Sequence, residues 1–410
     1  MMGKYTYYAL LFLTFSLPFE LLFISIASVV WFVFAVLMFR AKNWQRPKLN
    51  NIYLIILFFV WSAIGVFYSN SLPEATERLV RQAPLLMFPI AALCLPLEKK
   101  KVQTLKKVFV FACVVFCMVS VGTLIFNVIS KYSVSHHYNF VQSSMYHFHF
   151  PYDTLYLNLA CIFVLFGNFN ELTKKITSFI FFSVIFLFGV RTGIATFLLI
   201  TLLYLGINYK TTFKLKNLII FGMGILLSLF ILNKSSYLKD KYYGVLEKLE
   251  IVKSEEISEV GKEYHKLSLR QKLWSASWDV VQEKPLFGYG VFGEVEPLKE
   301  AFKRNGISKK NNDMNSHNQY LTTFLQHGAI GVVLLLFILL RSLLLSLKEK
   351  KYENFLLVLV ISLAFVTESM LLRQKGIVIF ALVFSVFLGK LSDKEPNKGK
   401  TMLSQETDFE

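Results

Sequence analysis

The segment NSHNQYLTTFLQHGAIG, residues 315–331, sets a histidine at the entrance of a long apolar run. Asn315 or Ser316 is a good N-cap, which predicts His317 in the first turn of the helix that follows. A neutral imidazole in that place accepts a proton, and the free N–H groups of a helix start attract an anion. A general base beside a phosphate group is the chemistry this suggests. The plainer alternative is a polar histidine at a helix end.

Two arginines could supply the charge such a reaction needs. Arg270 opens RQKLWSASWDVVQEKP, a helix that Pro285 ends, and Arg270, Trp274, Ser277 (or Trp278) and Val281 share one of its faces. The planar guanidinium fork suits a phosphate, although an ordinary interfacial arginine has the same composition. Arg191 stands alone between two strongly apolar stretches, where a charge is costly. Glu368, Arg373 and Lys375 bracket the end of a later apolar run, Glu368 being either paired with a cation or turned toward the site. FGYGVFG, with Gly288, Gly290 and Gly293 around Tyr289, makes a tight turn; without a preceding strand it is no dinucleotide fingerprint. His327 lies ten residues into its helix and reads as a hydrogen-bonded structural group. His136, His137, His147 and His149, with Asp153 close by, match zinc spacings poorly and read as a polar, aromatic loop.

The elements that must hold these residues are membrane helices. Hydrophobic residues make up 55% of the 410, with 41 Phe, and apolar runs of spanning length recur along the chain. The fold class is an all-α polytopic membrane protein, since the alternation of a β-barrel is absent. About twelve transmembrane helices are expected, near 5–18, 21–39, 51–68, 83–97, 107–130, 152–169, 176–190, 192–209, 216–233, 319–345, 354–371 and 376–391. Pro18 and Glu20 split the first long run, and Gly189 and Gly193 bracket a tight turn at Arg191. The first run is retained as a span, because it lacks a small-residue cleavage site. The four cysteines lie inside apolar runs and read as small core residues.

The net charge of +17 is no nucleic-acid signal. Nearly half of the Lys and Arg, against few in the short loops of the other side, fall in loops 40–50, 98–107, 210–216 and 348–351, at Lys174 and Lys175, and in the tail. These loops share one side, the cytoplasmic one, and so do both termini. The organisation is then helices one to nine in 1–233, one large outer loop domain in 234–318 between spans nine and ten, helices ten to twelve in 319–391, and a polar tail in 392–410. No internal repeat is visible.

Together, the Arg270-to-Trp274 opening, PLFGYG at 285–290, HNQYL at His317, the HGAIG that follows it, ESMLLRQKGIVIF and the VRTGIATFL hairpin resemble the O-antigen ligase family of polytopic membrane proteins. The resemblance covers most of the chain and is specific from about 191 to 391. It implies a metal-independent, inverting glycosyl transfer with no cofactor, at the periplasmic face of the bacterial inner membrane. The donor it implies is a polysaccharide on undecaprenyl diphosphate, and the acceptor a sugar hydroxyl of lipid A-core. By position His317 would be the base, and Arg191 and Arg270 would hold the diphosphate. Trp274, Tyr289, Asn318 and Arg373 would complete the substrate-binding set. Membrane lipid is the remaining partner. The charged stretch 253–266 has no counterpart in the family's motifs and reads as a solvent-exposed helix or linker, with a part in acceptor choice as the alternative. An O-antigen polymerase or a protein O-oligosaccharyltransferase would use the same donor. A transporter of lipid-linked glycan is the rival from another class, but repeats and matched broken helices are missing.

Overall fold

A computed structural model describes residues 2–39, 51–94, 97–130, 145–146, 149–208, 267–307 and 314–388. The expected span 216–233, the loop as far as 266, the basic segment 40–50, His136, His137, His147 and the tail lie outside the described residues. Every regular element among the described residues is helical. In chain order these are α1 (Met2–Ser16), α2 (Leu21–Leu37), α3 (Asn51–Val66), α4 (Leu72–Arg81), α5 (Pro84–Cys94), α6 (Lys99–Ser130), α7 (Phe150–Phe166), α8 (Glu171–Phe188), α9 (Arg191–Ile207), α10 (Leu267–Glu283), α11 (Val295–Arg304), α12 (Gln319–Lys348), α13 (Tyr352–Thr367) and α14 (Gln374–Leu382). A 3-10 turn at Met370–Leu372 precedes α14, and a π turn at Val383–Phe387 extends it.

The expected breaks are present. α1 ends before Pro18, and Glu20 in extended conformation opens α2. Gly189 ends α8 with φ 64°, a left-handed value open to glycine, and α9 restarts at Arg191. Among the described residues two helical stretches, Lys99–Asn127 and α12, are long and apolar enough to cross a bilayer by themselves. Several apolar helices are shorter, so these elements do not by themselves establish twelve crossings.

The outward faces are apolar. Leu22, Ile26, Val29, Val33 and Val36 are exposed on α2, as are Phe111, Met118 and Ile125 on α6. A soluble protein rarely exposes so continuous a patch, whereas hydrocarbon accepts it. The interior is built on α7, buried from Tyr152 to Val164 and packed against α6, α8, α9 and α13. Phe109 meets the rings of Tyr156 and Phe163 edge-on. In lipid such close packing, with little help from water exclusion, holds helices together. Cys113, Cys117 and Cys161 are buried there and Cys94 is half-buried, all four free, as their sequence context suggests.

Polar ties fix which helix ends share a side. Lys106 at the start of α6 meets Glu353 at the start of α13 at 2.8 Å. Tyr7 donates to the carbonyl of Lys101, and Asn51 joins Ser342 and Arg341 near the end of α12. At the opposite end Tyr146 donates to Glu20, Gln374 to Ser25, and Tyr152 to the carbonyl of Ser369. This second end carries the residues with chemistry.

Candidate active site

α12 is broken at Gly328, where φ is 62° and ψ −165°. The break costs the helix several i to i−4 bonds, and an unpaired backbone group is expensive at membrane depth. The FGYG turn replaces them. Tyr289 N–H donates to the Leu325 carbonyl at 2.8 Å, and Gly290 N–H to that of Gln326 at 3.0 Å. Ala329 N–H donates to the Pro285 carbonyl at 2.8 Å, and the Trp61 indole to that of His327 at 3.1 Å. Gly288 has φ 71°, and a Cβ there would lie 2.7 Å from the backbone of Gln326 and Gly328. So PLFGYG and HGAIG are two halves of one backbone joint. His327 is buried beside it, its Nε2 3.2 Å from Ser62 Oγ and its ring edge-on to Phe58, the structural role expected of it.

The turn belongs to a small helical unit. Leu273, Ala276 and Val280 of α10 pack with Leu298, Ala301 and Phe302 of α11 and with Leu325 of α12. Ser277 and Val281 share that buried face, Trp274 is half-buried at its edge with its indole N–H enclosed and unpartnered, and Arg270 is exposed. Glu294 is buried and accepts from Arg78 of α4 at 2.5 Å and from Gln326 at 2.8 Å. The Arg78 guanidinium lies over Phe292, 4.8 Å from its ring centre. This clamp ties α4 to the unit, and neither α4 nor α11 is foreseen in the sequence reading.

His317 lies before the helix, not in its first turn as its sequence context predicts. The N-cap of α12 is Asn318, whose side chain accepts from the N–H groups of Tyr320 and Leu321 at 2.9 and 3.2 Å. His317 precedes that cap and has φ 45°, an uncommon value for a side chain-bearing residue. Asn315 does not cap the helix; its Oδ1 accepts the His317 N–H at 2.7 Å. Ser316, Thr322 and Ser369 form a buried hydroxyl cluster, and Gln319 Oε1 accepts the Leu371 N–H at 2.6 Å. These bonds stitch 315–322 to 368–371 and hold the unusual backbone in place, as is common where strain serves a site.

The stitching brings His317 Nδ1 to 3.2 Å from Glu368 Oε2. The His317 side chain is 27% exposed and that of Glu368 only 4%, so the imidazole faces outward and the carboxylate backs it. A nitrogen facing a carboxylate carries the hydrogen, which leaves Nε2 as the acceptor. The Ser369 N–H also donates to Glu368, at Oε1 and 3.2 Å, which holds the carboxylate in place behind the ring.

Arg270 lies in the field of both Glu368 and Arg191. Its surface is exposed, yet protein surrounds the headgroup densely enough that burial, more than any other influence, lowers its pKa. It stays a cation throughout the usual range. Arg191 is exposed at the first position of α9, and Arg373 is exposed as the N-cap of α14. The structure thus brings His317, Glu368, Arg270 and Arg191 to one mouth. Tyr289 is buried, with its hydroxyl donated to Glu283 at 2.5 Å and the Lys284 ammonium 4.5 Å from its ring centre. Asn318 is occupied as the cap. Glu368 is the partner that spacing cannot give to His317, because 51 residues separate them.

Residues 176–336 match the family model described as O-Antigen ligase. The match takes in α9, Arg270, the FGYG turn, His317 and the break at Gly328, and ends before Glu368. A stretch of 115 residues is 27% identical to an uncharacterized protein of Haemophilus influenzae, covering 27% of this chain and 29% of that protein.

Proposed function

From the match of residues 176–336 to the O-antigen ligase family model, we propose that the chain is a membrane glycosyltransferase of that family, moving a polysaccharide from undecaprenyl diphosphate to a sugar hydroxyl of lipid A-core. The base-and-cation mouth at His317, Glu368, Arg270 and Arg191 supports this reading more than any other observation. Nε2 of His317 takes the proton of the acceptor hydroxyl as its oxygen attacks the anomeric carbon. The bond from that carbon to the diphosphate oxygen breaks, and its electron pair leaves with the diphosphate. Attack from the opposite face inverts the centre. Charge develops on the leaving group, where Arg270 and Arg191 stabilise it without a metal ion. Glu368 holds the ring's tautomer and stabilises the imidazolium, as carboxylates do behind catalytic histidines. Trp274 and Arg373 flank the mouth as substrate contacts, while Tyr289 and Asn318 serve by holding the frame.

In this reading the mouth is periplasmic, the basic ends and both termini are cytoplasmic, and the outward apolar faces meet inner-membrane lipid. The lipid tail of the donor lies along those faces. Deleting the gene in its host and resolving the lipopolysaccharide on a gel tests the assignment. Lipid A-core without O-antigen, together with accumulated lipid-linked polymer, is the expected result. Core capped with a single repeat would make the enzyme a polymerase, and an unchanged ladder would overturn both.

A further inference from the structure

Beside the cationic mouth lies a small cleft between α7, α9 and α13, with room for about one small polar group. Thr154, Asn158, Thr192, Thr196, Thr367 and Met370 are among the residues that line it, and none of its lining side chains is charged. Thr192 follows Arg191 and Thr367 precedes Glu368, so the cleft adjoins the groups that carry the chemistry.

One of its lining groups is an unpartnered acceptor. Asn158 is 1% exposed, and its Nδ2 donates to the carbonyls of Thr154 at 3.0 Å and Gly193 at 3.1 Å. Both partners are acceptors, which fixes the orientation of the amide. Asn158 Oδ1 is therefore the atom left over, and it is buried without a partner. Thr154 donates its hydroxyl hydrogen to Pro151 and Thr367 donates its own to Ala364, so their lone pairs remain. The walls are also close-set: a Cβ at Gly193 would lie 2.8 Å from Thr154 Cβ. The cleft thus offers an unpartnered buried amide oxygen and hydroxyl groups, with no charge. A phosphate or carboxylate finds no cation among its lining side chains, whereas a neutral O–H or N–H completes Asn158 Oδ1.

We infer that this cleft receives a hydroxyl or acetamido N–H of the sugar attached directly to the donor diphosphate, and so reads that sugar. The inference rests on the proposed function, because a diphosphate at Arg191 sets its first sugar beside Thr192. Threonine-to-valine changes remove the oxygens at nearly constant volume, and threonine-to-serine changes retain them.

The test uses purified protein in phosphatidylethanolamine–phosphatidylglycerol vesicles, with lipid-linked glycan isolated from the host as donor and lipid A-core as acceptor. For the double variant Thr196→Val with Thr367→Val, the donor KM should rise about 10-fold, with kcat and acceptor KM little changed. The double variant Thr196→Ser with Thr367→Ser should keep the wild-type donor KM. Unchanged kinetics in the valine variant overturn the inference. Equal losses in both variants overturn it too, since shape and not hydrogen bonding would then matter. A fall in kcat alone has the same meaning. If the wild type transfers nothing from that donor, the glycosyl-transfer reading itself fails and takes this one with it.

Discussion

A base is useful only if its proton acceptor is aimed, and at residue scale the aim comes from Glu368. His317→Ala should abolish transfer, a loss of about 10²- to 10⁴-fold by the usual worth of a general base. The variant should still insert and fold, which detergent-extracted protein on a sizing column would check. Glu368→Gln keeps the shape but not the charge, and turnover should fall about 10- to 100-fold. Arg270→Lys retains the charge and loses the fork. The kcat/KM for donor should decrease on the order of 100-fold, while near-normal kinetics would reduce Arg270 to a point charge.

Among elements, the joint between the FGYG turn and broken α12 decides whether the mouth exists. Gly288→Ala introduces a Cβ into backbone at 2.7 Å and strains a left-handed residue. A destabilisation of at least about 1–3 kcal/mol is expected, read as a lower melting temperature with faster proteolysis of the 267–307 unit. Much of this level is legible in the sequence. Apolar runs give the helices, Pro18 and Gly189 give their breaks, and Pro285 gives the end of α10. The charged short helices α4 and α11 are not legible, since they lack an apolar run and gain stability from the Glu294–Arg78 clamp. The sequence places the cap two or three residues too early, because Asn315, Ser316 and Asn318 are all good caps. Only the three-dimensional stitching of 315–322 to 368–371 selects Asn318. The pairing with Glu368 escapes for a related reason, as no periodicity links residues in separate helices.

At the scale of the whole molecule, the ties at the two ends separate a basic surface from a chemical one. Lys106, Glu353 and Arg341 mark the first, and Arg78, Glu294, His317 and Glu368 the second. Intact cells from which the outer barrier has been removed should therefore show opposite labelling with a membrane-impermeant thiol reagent. Glu77→Cys, on exposed α4, should react, and Lys350→Cys, in the turn between α12 and α13, should not. The reverse pattern would invert the orientation. The four native cysteines are free thiols enclosed wholly or partly among helices, so background labelling should be low.

The break at Gly328 also imposes an order in time. During synthesis the 267–307 unit leaves the ribosome before α12 does, and on the proposed orientation it must be exported first. Until Tyr289, Gly290 and Pro285 reach the broken turn, α12 has open backbone groups that lipid cannot satisfy. The crossing helix and the exported unit therefore mature together, each serving as the template on which the other finishes folding.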